Sequence, residues 1–250
     1  MRAARELRIR PLTGLPELRG GDCLGALVAE RGRPAPDEIV VISQKAVSKV
    51  EGRLRKLTEV EPGDEARKLA SRLDKDPRMV ELALAESERV VRAERGVLIT
   101  ETRGGWVCAN AGIDASNLED GFVALLPADA DGSARRIRAE IAEASGASPA
   151  VVIADSFGRP WRLGQADVAI GCAGIEALDD WRGRRDAHRR ELSATVVAVA
   201  DQLAGAADLS RDKDSGVPVA IVSGLGGLVI QDDGAGAKAL RRPAENDLFR

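Results

Sequence analysis

Val107–Asn117 reads V-C-A-N-A-G-I-D-A-S-N and gathers Asn110, Asp114, Ser116 and Asn117 among small residues. A core helix or strand would carry a face of large apolar side chains. This stretch instead predicts a tight polar turn, whose short oxygens and backbone can crowd around a metal ion or a phosphate. Taken alone, an ordinary Asn/Gly/Asp loop explains it equally well. A second segment tips the balance. Ala154–Gln165, A-D-S-F-G-R-P-W-R-L-G-Q, again sets an acid and a hydroxyl beside glycine and arginine, directly after an apolar run. The two segments read as two halves of one site. Its hard oxygens, Asp114, Asp155 and Ser156, suit Mg2+ or Mn2+.

Cations for phosphate stand elsewhere in the chain. Lys45, Lys49 and Arg53 follow the apolar run E-I-V-V-I-S at a spacing of four. Cations at the end of a buried strand are a usual means of holding phosphates, although a solvated helix face has the same spacing. Arg159 and Arg162 offer further positive charge. Thr13–Leu18, T-G-L-P-E-L, is a turn whose free backbone N–H groups can meet an anion, or a plain connecting loop. A divalent ion combined with phosphate-binding cations serves phosphoryl transfer, where charge neutralisation supplies most of the catalysis.

Composition removes competing chemistries. One histidine, His188, in a charged run that reads as a solvated helix, excludes a histidine cluster. Three dispersed cysteines suggest neither a disulfide framework nor a zinc site, and Cys108 and Cys172 read as buried thiols. A net charge of −3 and the absence of tyrosine argue against a nucleic-acid surface. No apolar run approaches the ~20 residues of a membrane span, and no secretory h-region opens the chain, so a cytoplasmic protein is expected. No G-x-G-x-x-G follows a strand and no P-loop occurs. D-A-D-G-S-A at Asp129–Ala134 starts like a calcium loop but lacks the later ligands.

The elements that must position these residues alternate irregularly. Strands are expected at Ile9–Leu12, Glu38–Ser43, Gly121–Leu126, Ala150–Ala154, Val168–Gly174 and Val217–Val222. A hairpin is expected over Arg89–Val91 and Gly96–Thr102. Helices are expected at Cys23–Arg31 capped by Asp22, at Asp64–Leu73, from Asp76 with Pro77 at its first position, at Ala134–Ser145 capped by Asp131 or Ser133, and through Asp186–Ala207. Asp155 and Ser156 then sit at the carboxyl end of their strand. With 250 residues, 44% apolar and 31% charged, the chain is one large globular domain or two small ones sharing a core.

Five ordered segments, Q-K-A-V-S-K-V-E-G-R, N-A-G-I-D-A-S-N, L-L-P-A-D-A-D-G-S-A, D-S-F-G-R-P-W-R-L-G-Q and A-I-G-C-A-G-I, closely resemble the coenzyme F420-0:L-glutamate ligases, the CofE-like gamma-glutamyl ligase family. The resemblance runs from about Pro11 to about Val222. It implies an α+β, CofE-like fold of two intimately connected α/β subdomains with mixed and antiparallel sheets, assembled as a homodimer. It also implies a GTP-dependent ligase that activates the terminal carboxylate of coenzyme F420-0 as an acyl phosphate, adds L-glutamate, and extends it through gamma linkages. Mg2+ or Mn2+, and K+, accompany the reaction in the family. Carried over by motif, Thr13, Gly14, Leu15, Pro16, Gln44, Lys49 and Asn117 contact GTP; Asp114, Asp155 and Ser156 hold the metals, with Lys45 nearby. Ser156 stands where threonine is common, which keeps the hydroxyl. Leu209–Gly216, L-S-R-D-K-D-S-G, matches the family in place but only weakly in sequence. The ending R-P-A-E-N-D-L-F-R resembles a junction that leads, in two-domain relatives, into a nitroreductase-like flavin domain, and a ligase-only unit over 1–250 is expected here. Two other readings compete: the same chemistry on another carboxylate acceptor, and a non-catalytic nucleotide- or metal-binding regulator.

Overall fold

Ile39, Val40, Val41 and Ile42 give a strand no polar face, so it must lie inside a sheet covered on both sides. All four are fully buried. The computed structural model describes residues 6–248; residues 1–5 and 249–250, with the sequence readings that fall on them, lie outside that range. Strand β1 is Arg8–Pro11, helix α1 Leu24–Gly32, β2 Ile39–Ser43 and α2 Gln44–Val50. Then follow β3 Leu54–Lys56, α3 Asp64–Leu73, α4 Pro77–Ala85, β4 Ser87–Glu94, β5 Val97–Thr102, β6 Val107–Ala109 and β7 Phe122–Ala124. The remaining elements are α5 Ala130–Ser145, β8 Ala150–Arg159, β9 Arg162–Ala173, β10 Leu178–Asp180, β11 Val196–Ala198, α6 Val199–Asp208 and β12 Val219–Ser223.

The central sheet has the order β1-β12-β2-β8-β9. Only β2 and β8 run parallel; the other neighbours are antiparallel. The period-two alternation of strand side chains divides the core in two. Val40, Ile42, Val151 and Ile153 face α1 and α5. Ile39, Val41, Val152 and Ala154 face α6. A third core joins α3 and α4 to Leu98, Ile113, Val123 and Leu125, next to the antiparallel sheet β4-β5-β6 and the pair β3-β7. The architecture is therefore mixed α+β with several sheets, as expected. No described helix is long and apolar enough to cross a membrane.

Several sequence expectations are corrected. Asp186–Ala207 is not one helix. Residues 182–195 carry no apolar stripe, and the Asp186 carboxylate accepts the backbone N–H groups of His188 and Arg190, an arrangement that competes with a helical ladder. The β-branched pair Val196-Val197 goes into β11, and the helix starts only at Val199. His188 is exposed, on a turn rather than a helix. Helix α5 starts one turn earlier than expected, with Asp129 as its cap through Gly132 N–H; Asp131 and Ser133 lie inside the helix. Asp22 does not cap α1: Cys23 occupies that position, and Asp22 accepts from Arg19 N–H instead. Helix α2 ends at Val50, so Arg53 is off its face, donating to the Leu126 carbonyl and paired with Glu86. Finally, β8 does not stop at Ala154. It continues to Arg159 and folds back as β9, so Asp155 and Ser156 stand inside a hairpin.

Candidate active site

That hairpin sets the geometry of the site. In register, Asp155 is opposite Val168 and Ser156 is opposite Asp167. Successive strand residues project to opposite faces, so Asp155 shares one face with Phe157 and Val168, and Ser156 shares the other with Asp167. Ser156 Oγ donates to Asp167 Oδ1 at 2.5 Å. Lys213 Nζ donates to Ser156 Oγ at 3.0 Å, to Asp208 Oδ1 at 2.7 Å and to Asp167 Oδ1 at 3.4 Å. Buried Arg211 lies 3.6 Å from the second Asp167 oxygen. The weakly matching segment 209–216 therefore lands on the site. Its Lys213 carbonyl also accepts from Asn117 Nδ2 at 3.0 Å, which joins the two loops.

Asp114 arrives from the polar turn after β6. A bridge to Ala124 fixes its backbone. Its carboxylate accepts from Ser116 N–H at 2.7 Å and from Ser116 Oγ at 2.9 Å, and pairs with Lys45 Nζ at 2.7 Å. Burial works against that charge, but the Lys45 hydrogen bond, then Ser116, outweigh it and hold the carboxyl below its usual range. Asp155 has no such support. Burial foremost, then the neighbouring charges of Asp114 and Asp167, push it up to about 7 against a backbone hydrogen bond from Ser156 and the charge of Lys45. A half-ionised buried carboxyl beside two others lacks positive charge, which a bound cation would supply. The donors are all hard oxygens, and they fit Mg2+ or Mn2+. As the chain stands, the Lys45 and Lys213 ammonium groups hold these carboxylates, and no group of three or more acidic, histidine or cysteine side chains gathers as a ready chelate among the described residues.

The expected nucleotide residues divide. The loop Thr13–Pro16 follows β1 and is largely exposed, with Gly14 in the left-handed region at φ 78°. Glu17 ties it to Lys49 by an ion pair of 2.5 Å. Loop and lysine are thus brought together, and Asn117 is exposed beside Lys213. Gln44 is not brought to the surface: it is 1% exposed, and its Oε1 accepts from Ser48 Oγ. Arg159 directs its guanidinium to the Leu163 and Gly164 carbonyls of its own turn. Cys108 and Cys172 are buried thiols, each pushed up to about 12 mainly by burial.

Sequence reasoning missed Asp167, Asp208, Arg211 and Lys213. A signal for Asp167 existed. Gly158-Arg159-Pro160 and Gly164 predict a fold-back, and a fold-back there sets Asp167 opposite Ser156. Lys213 had no local signal, because its position depends on how α6 and the following turn pack.

Hard oxygens on both faces of one hairpin, with lysines between them and a glycine turn beside another lysine, define an enzyme class that brings phosphates and carboxylates together. The comparisons with known proteins agree. The family model described as F420-0:Gamma-glutamyl ligase matches residues 14–224. A coenzyme F420:L-glutamate ligase of Methanopyrus kandleri is 44% identical over 98% of both chains. That of Methanothermobacter thermautotrophicus is 44% identical over 95% of this chain and 96% of its own, and that of Archaeoglobus fulgidus 38% identical over 98% and 96%. The chain belongs to the F420-0:gamma-glutamyl ligase family.

Proposed function

We propose that this chain is a ligase that joins L-glutamate to coenzyme F420-0, driven by GTP, in the cytoplasm. The observation that carries the reading is the full-length similarity to glutamate ligases, at 44% identity across 98% of both chains. The site residues support it. A carboxylate is a poor acyl donor, so it must be activated. An oxygen of the acceptor's terminal carboxylate attacks the γ-phosphorus of GTP and GDP departs, leaving an acyl phosphate. The glutamate amine then attacks the acyl carbon, phosphate leaves, and the amine proton is lost. Later rounds use the γ-carboxylate of the glutamate just added.

In this reading the Thr13–Pro16 loop and Lys49 hold the phosphate end of the nucleotide, with Asn117 from the facing loop. Gln44 supports α2 from beneath through Ser48. Lys45 keeps Asp114 ionised and oriented. Asp114, Asp155 and Ser156 would hold Mg2+ or Mn2+, which neutralises phosphate charge when bound. The two faces of the hairpin offer separate oxygen sets, so a K+ requirement is compatible with Ser156, Asp167 and Asp208. Strand β9 is an edge of the central sheet, and the adjoining turn exposes Trp161 at 81% and Leu163 at 97%. We assign that surface to a homodimer, whose mass light scattering measures.

The test is a mass-spectrometric assay with coenzyme F420-0, L-glutamate, GTP and Mn2+, with ATP as control. Mass gains in whole glutamate units that require GTP are expected. No product from protein that binds GTP would remove this acceptor and return the choice to another carboxylate or to the regulator reading.

A further inference from the structure

A cleft of about 920 Å3 lies beside the carboxylates and opens into a smaller one of about 310 Å3. Trp106, Lys238 and Arg241 line both. Its inner end adjoins the chemistry. Phe157 shares the Asp155 face of β8, Val168 is the cross-strand partner of Asp155, and both line the cleft. Its outer wall is the segment after β12, with Lys238, Arg241 and Arg242; Arg103 lines the smaller cavity.

The charges of this wall are unbalanced. Arg89 and Arg53, which also line the cavities, are neutralised by Glu101 and Glu86. Arg103, Lys238, Arg241 and Arg242 have no carboxylate partner among the described residues. The acids nearby are engaged otherwise. Asp131 accepts backbone N–H groups from Cys172, Ala237 and Lys238, and Asp201 accepts one from Ala169. Four cations beside two aromatic faces, Trp106 and Phe157, suit a flat ring system that carries a phosphate ester: the ring stacks and the guanidinium groups take the phosphate oxygens.

Two reactants could offer a fused ring with phosphate, the guanine nucleotide and the ligase acceptor. The cleft is lined by none of Thr13–Pro16, Lys49 or Asn117. It also has far more volume than glutamate needs. We propose that the Trp106 cleft is the acceptor subsite, holding a phosphodiester-bearing fused-ring acceptor with its carboxylate at Asp155. The proposal rests on the ligase reading and adds to it the residues that recognise the acceptor.

Lys238→Glu and Arg242→Glu test it. Both side chains are exposed and make no hydrogen bond among the described residues, so the fold should survive. Wild type and variants are titrated with coenzyme F420-0 alone, by fluorescence anisotropy of its ring, and separately with GTP by calorimetry. Each reversal should weaken coenzyme F420-0 binding roughly tenfold or more and leave GTP affinity unchanged. Trp106→Leu should weaken acceptor binding in the same direction. Variants that bind coenzyme F420-0 like wild type overturn the subsite, and so does an equal loss of GTP affinity, which would place the nucleotide there. The two levels separate cleanly. If wild type forms product but the variants keep acceptor affinity, only the subsite falls. If wild type neither binds coenzyme F420-0 nor forms product, both fall.

Discussion

Asp114 and Asp155 are the same side chain under different loads. Lys45 and Ser116 hold the first ionised, while burial and its neighbours hold the second near neutrality. Asp155→Asn keeps the shape and removes the charge. Turnover should fall on the order of 100-fold or more, while the melting temperature measured by calorimetry stays level or rises, because a desolvated carboxyl is gone. Full activity in that variant would take Asp155 out of the site. Lys49→Ala should weaken GTP binding roughly tenfold, as loss of one charge-assisted contact predicts; an unchanged calorimetric affinity would end its phosphate role. At this scale the sequence was readable where chemistry leaves a local mark. Asp114, Asp155, Lys45 and Lys49 stand beside small residues or after an apolar run. Lys213 stands in an ordinary polar turn, and nothing near it announces the contact with Ser156.

Elements convert those residues into a site through close packing and register. Gly171 in β9 lies against α5 so tightly that a Cβ there would collide with the Ala130 carbonyl. Gly171→Ala should cost about 1–3 kcal/mol by overpacking, seen as a lower urea midpoint with unchanged slope. Asp201, in the first turn of α6, has its carboxyl raised above the usual range, chiefly by burial and against a hydrogen bond from Ala169. A raised carboxyl stabilises the fold most when protonated. Its contribution is full below the ordinary value of 3.8 and is lost as pH rises through the folded value. Asp201→Asn can still accept from Ala169 N–H, so it should raise stability at neutral pH and match wild type in acid. Denaturant melts across that range check the sign. Strands and caps that rest on β-branched runs or proline were legible, as Ile39–Ser43 and the Asp76-Pro77 start of α4 show. The Asp186–Ala207 helix was misread because alanines and valines near its end suggested a face that the charged residues before it cannot continue.

Across the whole molecule, the segment after β12 adds no strand to the central sheet yet closes the cleft. Arg138 anchors it from α5. That buried guanidinium donates to the carbonyls of Pro149, Ile230, Gln231 and Asp232 and to the Asp233 carboxylate. Arg138→Met fills similar volume but leaves those carbonyls without a donor. It should cost about 3 kcal/mol or more, and hydrogen exchange should rise first in residues 230–241. No sequence pattern tells that an arginine on a helix face will be buried by a distant tail; only the assembled chain does.

The order of the central sheet has a further consequence for synthesis. Strand β12 lies between β1 and β2, so the first strand of the chain has no neighbour until the last one has been made. During translation the amino-terminal strand and the Thr13–Pro16 loop behind it must wait, undocked, while nearly the whole polypeptide emerges. The carboxylate hairpin can form earlier against β2. A nascent chain therefore acquires its acidic half before its phosphate-holding half, and an unfinished polypeptide has no means of consuming nucleotide.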